Sequence, residues 1–184
     1  MLVIRPSDYR VMPWKNGGGE TTEIFVSPPT GNFDWRVSLA TMNADGPFSI
    51  FDGYDRHIMT LAGPGMRLDI EGRGMFELKP LKPFSFSGDL QVNGSLLDGP
   101  VLDFNLMVRR DFGQGILSVM DCGAGYHFGP GLSFRIIHVL DGECGIGDES
   151  VRANDSFYLG AGEQAFLSVP LKLVICEITP RWRL

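Results

Sequence analysis

Apolar and polar residues alternate with a period of two over several short stretches, and that period belongs to β-strands. Between Phe33 and Thr41, Trp35, Val37 and Leu39 share one face, with Arg36, Ser38 and Ala40 on the other. Between Leu102 and Val108, Asp103, Asn105 and Met107 lie together, opposite Phe104, Leu106 and Val108. Arg36 faces solvent if the apolar face meets a sheet-to-sheet core, and lines a pocket if the strands enclose one. Solvent is the expected side for a lone arginine.

Further strands are expected over residues 2–11, Thr21–Val26, about His57 to Ala62, Met66–Ile70 and Met75–Leu78, with an extended segment through Phe84–Asp89. Beyond about residue 111 the order begins again. Ile137-His138-Val139-Leu140-Asp141-Gly142 resembles Ile58-Met59-Thr60-Leu61-Ala62-Gly63, and the stretch from Arg152 to Gly162 has a counterpart in Leu81–Asp89. This weak internal repeat predicts two strand-rich lobes, 1–110 and 111–184, packed as one compact unit of jelly-roll sheets.

Composition narrows the picture. In 184 residues, 24 Gly and 12 Pro leave little room for long helices, and 43% hydrophobic against 21% charged residues is globular usage. A formal net charge of −6 without a basic cluster argues against nucleic-acid binding. No apolar run reaches membrane-spanning length, and the opening residues lack a signal-peptide core, so a cytoplasmic protein is expected. Cys122, Cys144 and Cys176 are widely spaced, form no CxxC pair, and read as small buried apolar residues in a reducing compartment.

Candidate chemistry gathers at Pro13-Trp14-Lys15-Asn16-Gly17-Gly18-Gly19-Glu20. Three successive glycines imply positive φ or a close approach of the backbone to another group. A plain turn between strands satisfies that. So does a ligand loop in which Trp14 is an apolar plate, Lys15 a charge, Asn16 a donor-acceptor pair, and the unshielded amides suit a small carboxylate. A Walker loop is excluded, because there the lysine follows the glycines.

The blocks PWKNGGGETTEI from Pro13, FDWRVSLA from Phe33, GPFSIFDGYDRHIMTLAG from Gly46, LKPLKPFSFSGD from Leu78 and DFNLMVRR from Asp103 together resemble the HutD family. That resemblance implies an RmlC-like cupin fold with two lobes and an association with histidine breakdown, without a settled activity. Cupins typically hold a metal through an HxH pair, a Glu and a distant His. Here there are only His57, His127 and His138 and no HxH, and Gln164-Ala165-Phe166 stands where the distant His is expected. No metal or other cofactor is therefore expected. His57, beside Arg56, lies where the first metal ligands would be, so an Arg-His pair there would make an anion site; an ordinary salt bridge is the alternative. His138 reads as a hydrogen-bonded core residue, and His127 as exposed in a turn. Asp103 and Asn105 are costly on an apolar strand unless they face a cavity or pair, for instance with Arg109 or Arg110.

These residues imply a metal-free protein that binds a small anionic carboxylate in the first lobe, accessory or regulatory to histidine utilisation. Lys15, Arg56 and His57 would recognise charge, Asn16 and Asn105 would orient the ligand, Asp103 would face the binding cavity with Asn105, and Trp14 and Phe51 would form walls. Because the likeness is to HutD, urocanate or a formyl or formimino derivative of glutamate is the implied ligand type. Two alternatives stand beside this: a metal-independent enzyme using His57 or Asp103 as general base, and an interaction protein without a small ligand, with a homodimer possible through the second lobe.

Overall fold

Pro6 breaks the first expected strand. In a computed structural model that describes residues 1–181, β1 (Leu2–Ile4) gives way to a 3-10 turn over Pro6–Asp8, capped by the Arg5 amide donating to Asp8 Oδ2 at 2.8 Å. Proline fits the first helical position because its missing N–H needs no partner there. The chain then enters a different part of the molecule. It divides into two compact units, one spanning Arg10–Phe112, the other combining Met1–Tyr9 with the chain from Gly113 onward. The opening residues thus belong with the later half, not with the lobe expected over 1–110, because β1 finds its partner strand there.

The first unit contains β2 (Arg10–Pro13), β3 (Gly19–Ser27), β4 (Trp35–Met42), β5 (Gly46–Pro47), β6 (Tyr54–Ala62), β7 (Met66–Ile70), β8 (Gly74–Leu78), β9 (Phe84–Ser87), β10 (Val92–Leu96) and β11 (Val101–Arg109). They form a six-stranded sheet in the order β2-β3-β4-β11-β6-β9 and a four-stranded sheet in the order β5-β10-β7-β8. Every pairing is antiparallel. Met42, Ile58, Phe86 and Val101 from the large sheet pack against Met66, Leu68, Ile70, Leu78 and Val92 from the small one. The core between the sheets is therefore built from the residues that share a face with Arg36, Asp103 and Asn105.

The second unit adds β12 (Gly113–Cys122), β13 (Tyr126–Phe128), β14 (Phe134–Asp141), β15 (Glu143–Ile146), β16 (Glu149–Arg152), β17 (Ser156–Leu159), β18 (Ala165–Leu167) and β19 (Leu171–Pro180). Its main sheet runs β1-β17-β14-β19-β12, and β13-β18 and β15-β16 form two hairpin-sized sheets. The buried side chains of Ile137, Val139, Cys144, Ile146, Val151, Phe157 and Leu173 make its core. All three cysteines are reduced and buried. The fold is all-β and cupin-like, and among the described residues no helix is long and apolar enough to cross a membrane.

Candidate functional site

The pocket forms on the inner face of the large sheet in the first unit. Strand β11 pairs in register with β4 and β6, so that Met107 lies between Arg36 and Arg56, Asn105 between Ser38 and Ile58, and Asp103 between Ala40 and Thr60. Met42 and Val101 lie toward one end of this face and the two arginines toward the other, with Asp103, Asn105 and Ile58 between them, and Arg36, Arg56, Asp103 and Asn105 line a cavity of about 620 Å³. That volume suits a small organic ligand. Arg36 lines it, contrary to the solvent-facing side expected for a lone arginine. The polar face of β4 is the inward one at this end because the cavity, not side chains of the small sheet, stands opposite.

Arg56 is the most constrained cation of the site. Only 9% of its surface is exposed, and its guanidinium lies 5.2, 5.7 and 5.0 Å from the ring centroids of Phe48, Phe51 and Phe86. Its Nη1 donates to the Ser49 carbonyl at 3.1 Å, while buried Nε has no partner. Desolvation, partly offset by Asp103, lowers its pKa to about 10, which still leaves it cationic at neutral pH. Arg36 lies 5.0 Å from the Phe33 centroid and 5.4 Å from that of Phe51. Its Nη2 contacts Met107 Sδ at 3.4 Å, and its buried Nε is also without a partner. Burial lowers its pKa as well. Among the described residues neither arginine makes an ion pair with a carboxylate. Aromatic faces stabilise a cation through the ring quadrupole without cancelling its charge.

Asp103 is the one carboxylate among the lining residues. It is 2% exposed, and Asn105 Nδ2 donates to its Oδ1 in a short hydrogen bond. Desolvation pushes its pKa up to about 7, against the lowering influence of Asn105 and of Arg56. Neither Arg109 nor Arg110 pairs with it: Arg109 holds Asp34 at 2.9 Å and Asp111 at 2.5 Å, and Arg110 holds Asp55 at 3.2 Å and also binds Asp89. The surface-pair reading of Asp103 is thereby overturned.

The glycine loop closes the β2-β3 hairpin and supplies Trp14, Lys15 and Asn16 to the rim. Its amides are not the open cradle the sequence suggested. Gly17 N donates to Trp14 O at 3.0 Å, Gly18 N to Asn16 Oδ1 at 3.0 Å, and Trp14 N to Gly19 O at 2.9 Å. Trp14 Nε1 donates to Thr21 Oγ1 at 2.9 Å, which fixes the indole as a wall. Trp14, Lys15 and Asn16 are the loop residues that line the cavity.

His57 is not in the pocket. Adjacent residues of a strand point to opposite faces, so with Arg56 inward His57 turns outward, where its Nδ1 lies 2.7 Å from Ser85 Oγ. Burial lowers its pKa. The Arg-His pair therefore cannot act on one ligand. The sequence reading brought together Trp14, Lys15, Asn16, Phe51, Arg56, Asp103 and Asn105, and the pocket unites these. It missed Arg36, Ser38 and Met107 as lining residues; the pairing of β4 with β11 was the missing information. In the second unit, His138 is buried with Nδ1 2.9 Å from Ser156 Oγ, as expected for a core residue. His127 is exposed, but on β13 and not in a turn. Among the described residues no group of three or more His, Cys, Asp or Glu side chains is arranged to hold a metal.

Facing antiparallel sheets with a cation-lined cavity at one end define a cupin-type β-protein with an anion-compatible pocket. The chain belongs to the HutD family, whose model matches residues 6–174. Over 109 residues it is 47% identical to an uncharacterized 21.2 kDa protein in the hutC 3′ region of Pseudomonas putida, a match spanning 58% of this chain and 57% of that one. It is 34% identical to protein Ves of Citrobacter koseri over 94% of this chain and 92% of that one. The solved structure of HutD from Pseudomonas fluorescens, from a formate condition, superposes with a TM-score of 0.84 at 32% identity, covering 98% and 99% of the two chains. The relative in Pseudomonas putida is described by its position in the hutC 3′ region, and the matches to the first curated relatives span 57% and 65% of those proteins' own length.

Proposed function

We propose that this protein binds a small carboxylate in the pocket of its first unit and acts as an accessory or regulatory protein of histidine utilisation in the cytoplasm. The observation that carries this reading is a pair of arginines, Arg56 buried and Arg36 half-buried, held by aromatic faces instead of carboxylates. Desolvating a cation is costly, and two such cations around one cavity, with Nε of each lacking a partner, leave charge and donors for an anionic guest. Guanidinium is suited to carboxylate because its planar fork matches two oxygens. The same cations repel a divalent metal, so the site selects an anion. Asp103 and Asn105 orient the guest, Lys15 and Asn16 meet it at the rim, and Trp14 and Phe51 flank it. Given the family's association, urocanate, N-formyl-L-glutamate and N-formimidoyl-L-glutamate are the candidate ligands.

A second reading is a metal-independent enzyme on the same ligands. Asp103, buried and raised to about 7, has the protonation behaviour of a general base; His57, on the opposite face, drops out of that role. Product analysis after prolonged incubation separates the two, since a binding protein returns its ligand unchanged.

The test is thermal unfolding with each of the three candidates, repeated on Arg56→Met, which removes the charge while keeping an apolar body against the rings. A ligand selective for the folded state stabilises it by about 2.7 kcal/mol at a hundredfold excess over Kd. We expect one of the three to raise the midpoint in the wild type and not in Arg56→Met. A wild-type midpoint indifferent to all three would refute the proposal.

A further inference from the structure

The two units share a strand plan, and the second one carries a modified copy of the pocket. The run β4-β11-β6-β9 corresponds to β12-β19-β14-β17, and β5-β10 to β13-β18. Even the irregularities coincide: β11 slips against β6 between Leu102 and Asp103, and β19 slips against β14 at Lys172 and Leu173. This correspondence equates Arg56 with Arg135, Thr60 with Val139, Asp103 with Leu173, Asn105 with Ile175, and Met107 with Glu177. Across the other neighbour, Arg36 corresponds to Ile116.

The two arginines are held alike. Arg135 Nη1 donates to the Gly129 carbonyl at 2.8 Å, one residue past Phe128; Arg56 Nη1 donates to the Ser49 carbonyl at 3.1 Å, one residue past Phe48. Their counterions differ. Arg135 Nε has the Glu177 carboxylate at 3.8 Å, where Arg56 has the uncharged Met107 as its registered neighbour on β11. The buried polar groups Asp103, Asn105 and Thr60 have become apolar, Arg36 has become isoleucine, and the cavity has shrunk to about 170 Å³. In the second unit a carboxylate of the chain itself stands beside the arginine, and both line the smaller cavity that remains.

Resting on the carboxylate-binding reading, we infer that a ligand carboxylate sits over Met107, at the position Glu177 fills against Arg135, bridging Arg56 on one side and Arg36 on the other. Met107 is placed for this between the two arginines, in register with both. An unbranched, uncharged thioether there offers Arg36 Nη2 only a weak sulfur acceptor at 3.4 Å and leaves the charge of both guanidinium groups uncompensated. The residue at this position decides whether a unit binds an external carboxylate or supplies one itself: methionine leaves the first site open, glutamate closes the second.

The test uses sodium acetate as the carboxylate probe, against sodium chloride at equal ionic strength, on the full chain with methionine methyl groups labelled for NMR. In the wild type, acetate and not chloride is expected to raise the unfolding midpoint and to move the Met107 methyl resonance, assigned through Met107→Leu. Met107→Glu is expected to remain folded and lose the acetate response, because the tethered carboxylate takes both arginines. Met107→Gln, of the same shape without charge, should retain the response to within about threefold, and Glu177→Gln should leave the Met107 signal responding as before. Acetate stabilisation with an unmoved Met107 methyl, or an undiminished response in Met107→Glu, overturns the inference alone. An acetate-insensitive wild type that also ignores the three larger candidates overturns the carboxylate-binding reading with it. Should Met107→Glu fail to fold, the wild-type methyl titration decides.

Discussion

Asp103 gives the pocket a titration of its own. Its pKa is raised from 3.8 to about 7, chiefly by burial, so folding favours the protonated acid. The contribution is complete below pH 3.8 and is lost as pH rises through about 7. Wild type should therefore lose stability relative to Asp103→Asn over that interval, with a slope of at most about 1.4 kcal/mol per pH unit, and the two should run parallel above it. Denaturant midpoints across pH measure this; parallel curves throughout would contradict the raised value. An anion in the pocket favours the neutral acid, so binding should weaken as pH rises past about 7. Arg56 shows the complementary device, since burial brings it only to about 10 and its charge persists across the same range.

At the scale of elements, the β2-β3 hairpin depends on one glycine more than on the others. A Cβ on Gly19 would stand 2.1 Å from the Thr41 carbonyl oxygen and 2.9 Å from the Trp14 ring, whereas one on Gly17 meets nothing within 4 Å. Gly17 requires glycine for its φ of +70° alone, a left-handed cost of about 1–2 kcal/mol for alanine. Gly19→Ala should cost more than Gly17→Ala in urea unfolding and should also displace Trp14 from Thr21, seen as a change in tryptophan fluorescence. Equal costs would mean that the close approach to β4 is not what the glycine serves. Strand β11 makes the same point for polar residues. Its two faces were separable in sequence, because Asp103, Asn105 and Met107 alternate strictly with Phe104, Leu106 and Val108. Which face turned inward was not, since that is decided by the pairing of whole strands and by the sheet formed from β7 and β10 that comes to stand opposite.

For the whole molecule, the opening residues are the instructive case. Leu2, Val3 and Ile4 pair with Tyr158, Phe157 and Ser156, Arg5 Nη1 meets Asp155 Oδ2 at 2.6 Å, and Tyr9 Oη lies 2.8 Å from Ser156 Oγ. Burial pushes the Tyr9 phenol up to about 12, so it stays a protonated hydroxyl at any ordinary pH. Deleting residues 1–9 should speed amide exchange most in Ser156–Leu159, whose outer edge β1 covers. Loss of protection confined to Arg10–Phe112 instead would contradict the assignment of these residues to the second unit. The strand expected over residues 2–11 took no account of Pro6, and the destination of the segment was not readable at all, because no local pattern names a strand partner over a hundred residues away.

Alternation, glycine placement and the repeated Ile-x-x-Leu-x-Gly order determined an all-β chain with a strand plan used twice, because the two-residue period and left-handed turns are properties of the local backbone. The same local information picked out Trp14, Lys15, Asn16, Asp103 and Asn105 as costly or unusual where they stand, while Arg56 was marked by the family resemblance. Tertiary structure alone decided that Arg36 joins them, that His57 does not, and that Met107 and Glu177 hold equivalent places. Those outcomes depend on cross-strand register and on which face meets the opposing sheet, and both are fixed only when segments distant in the chain bury their apolar surface together.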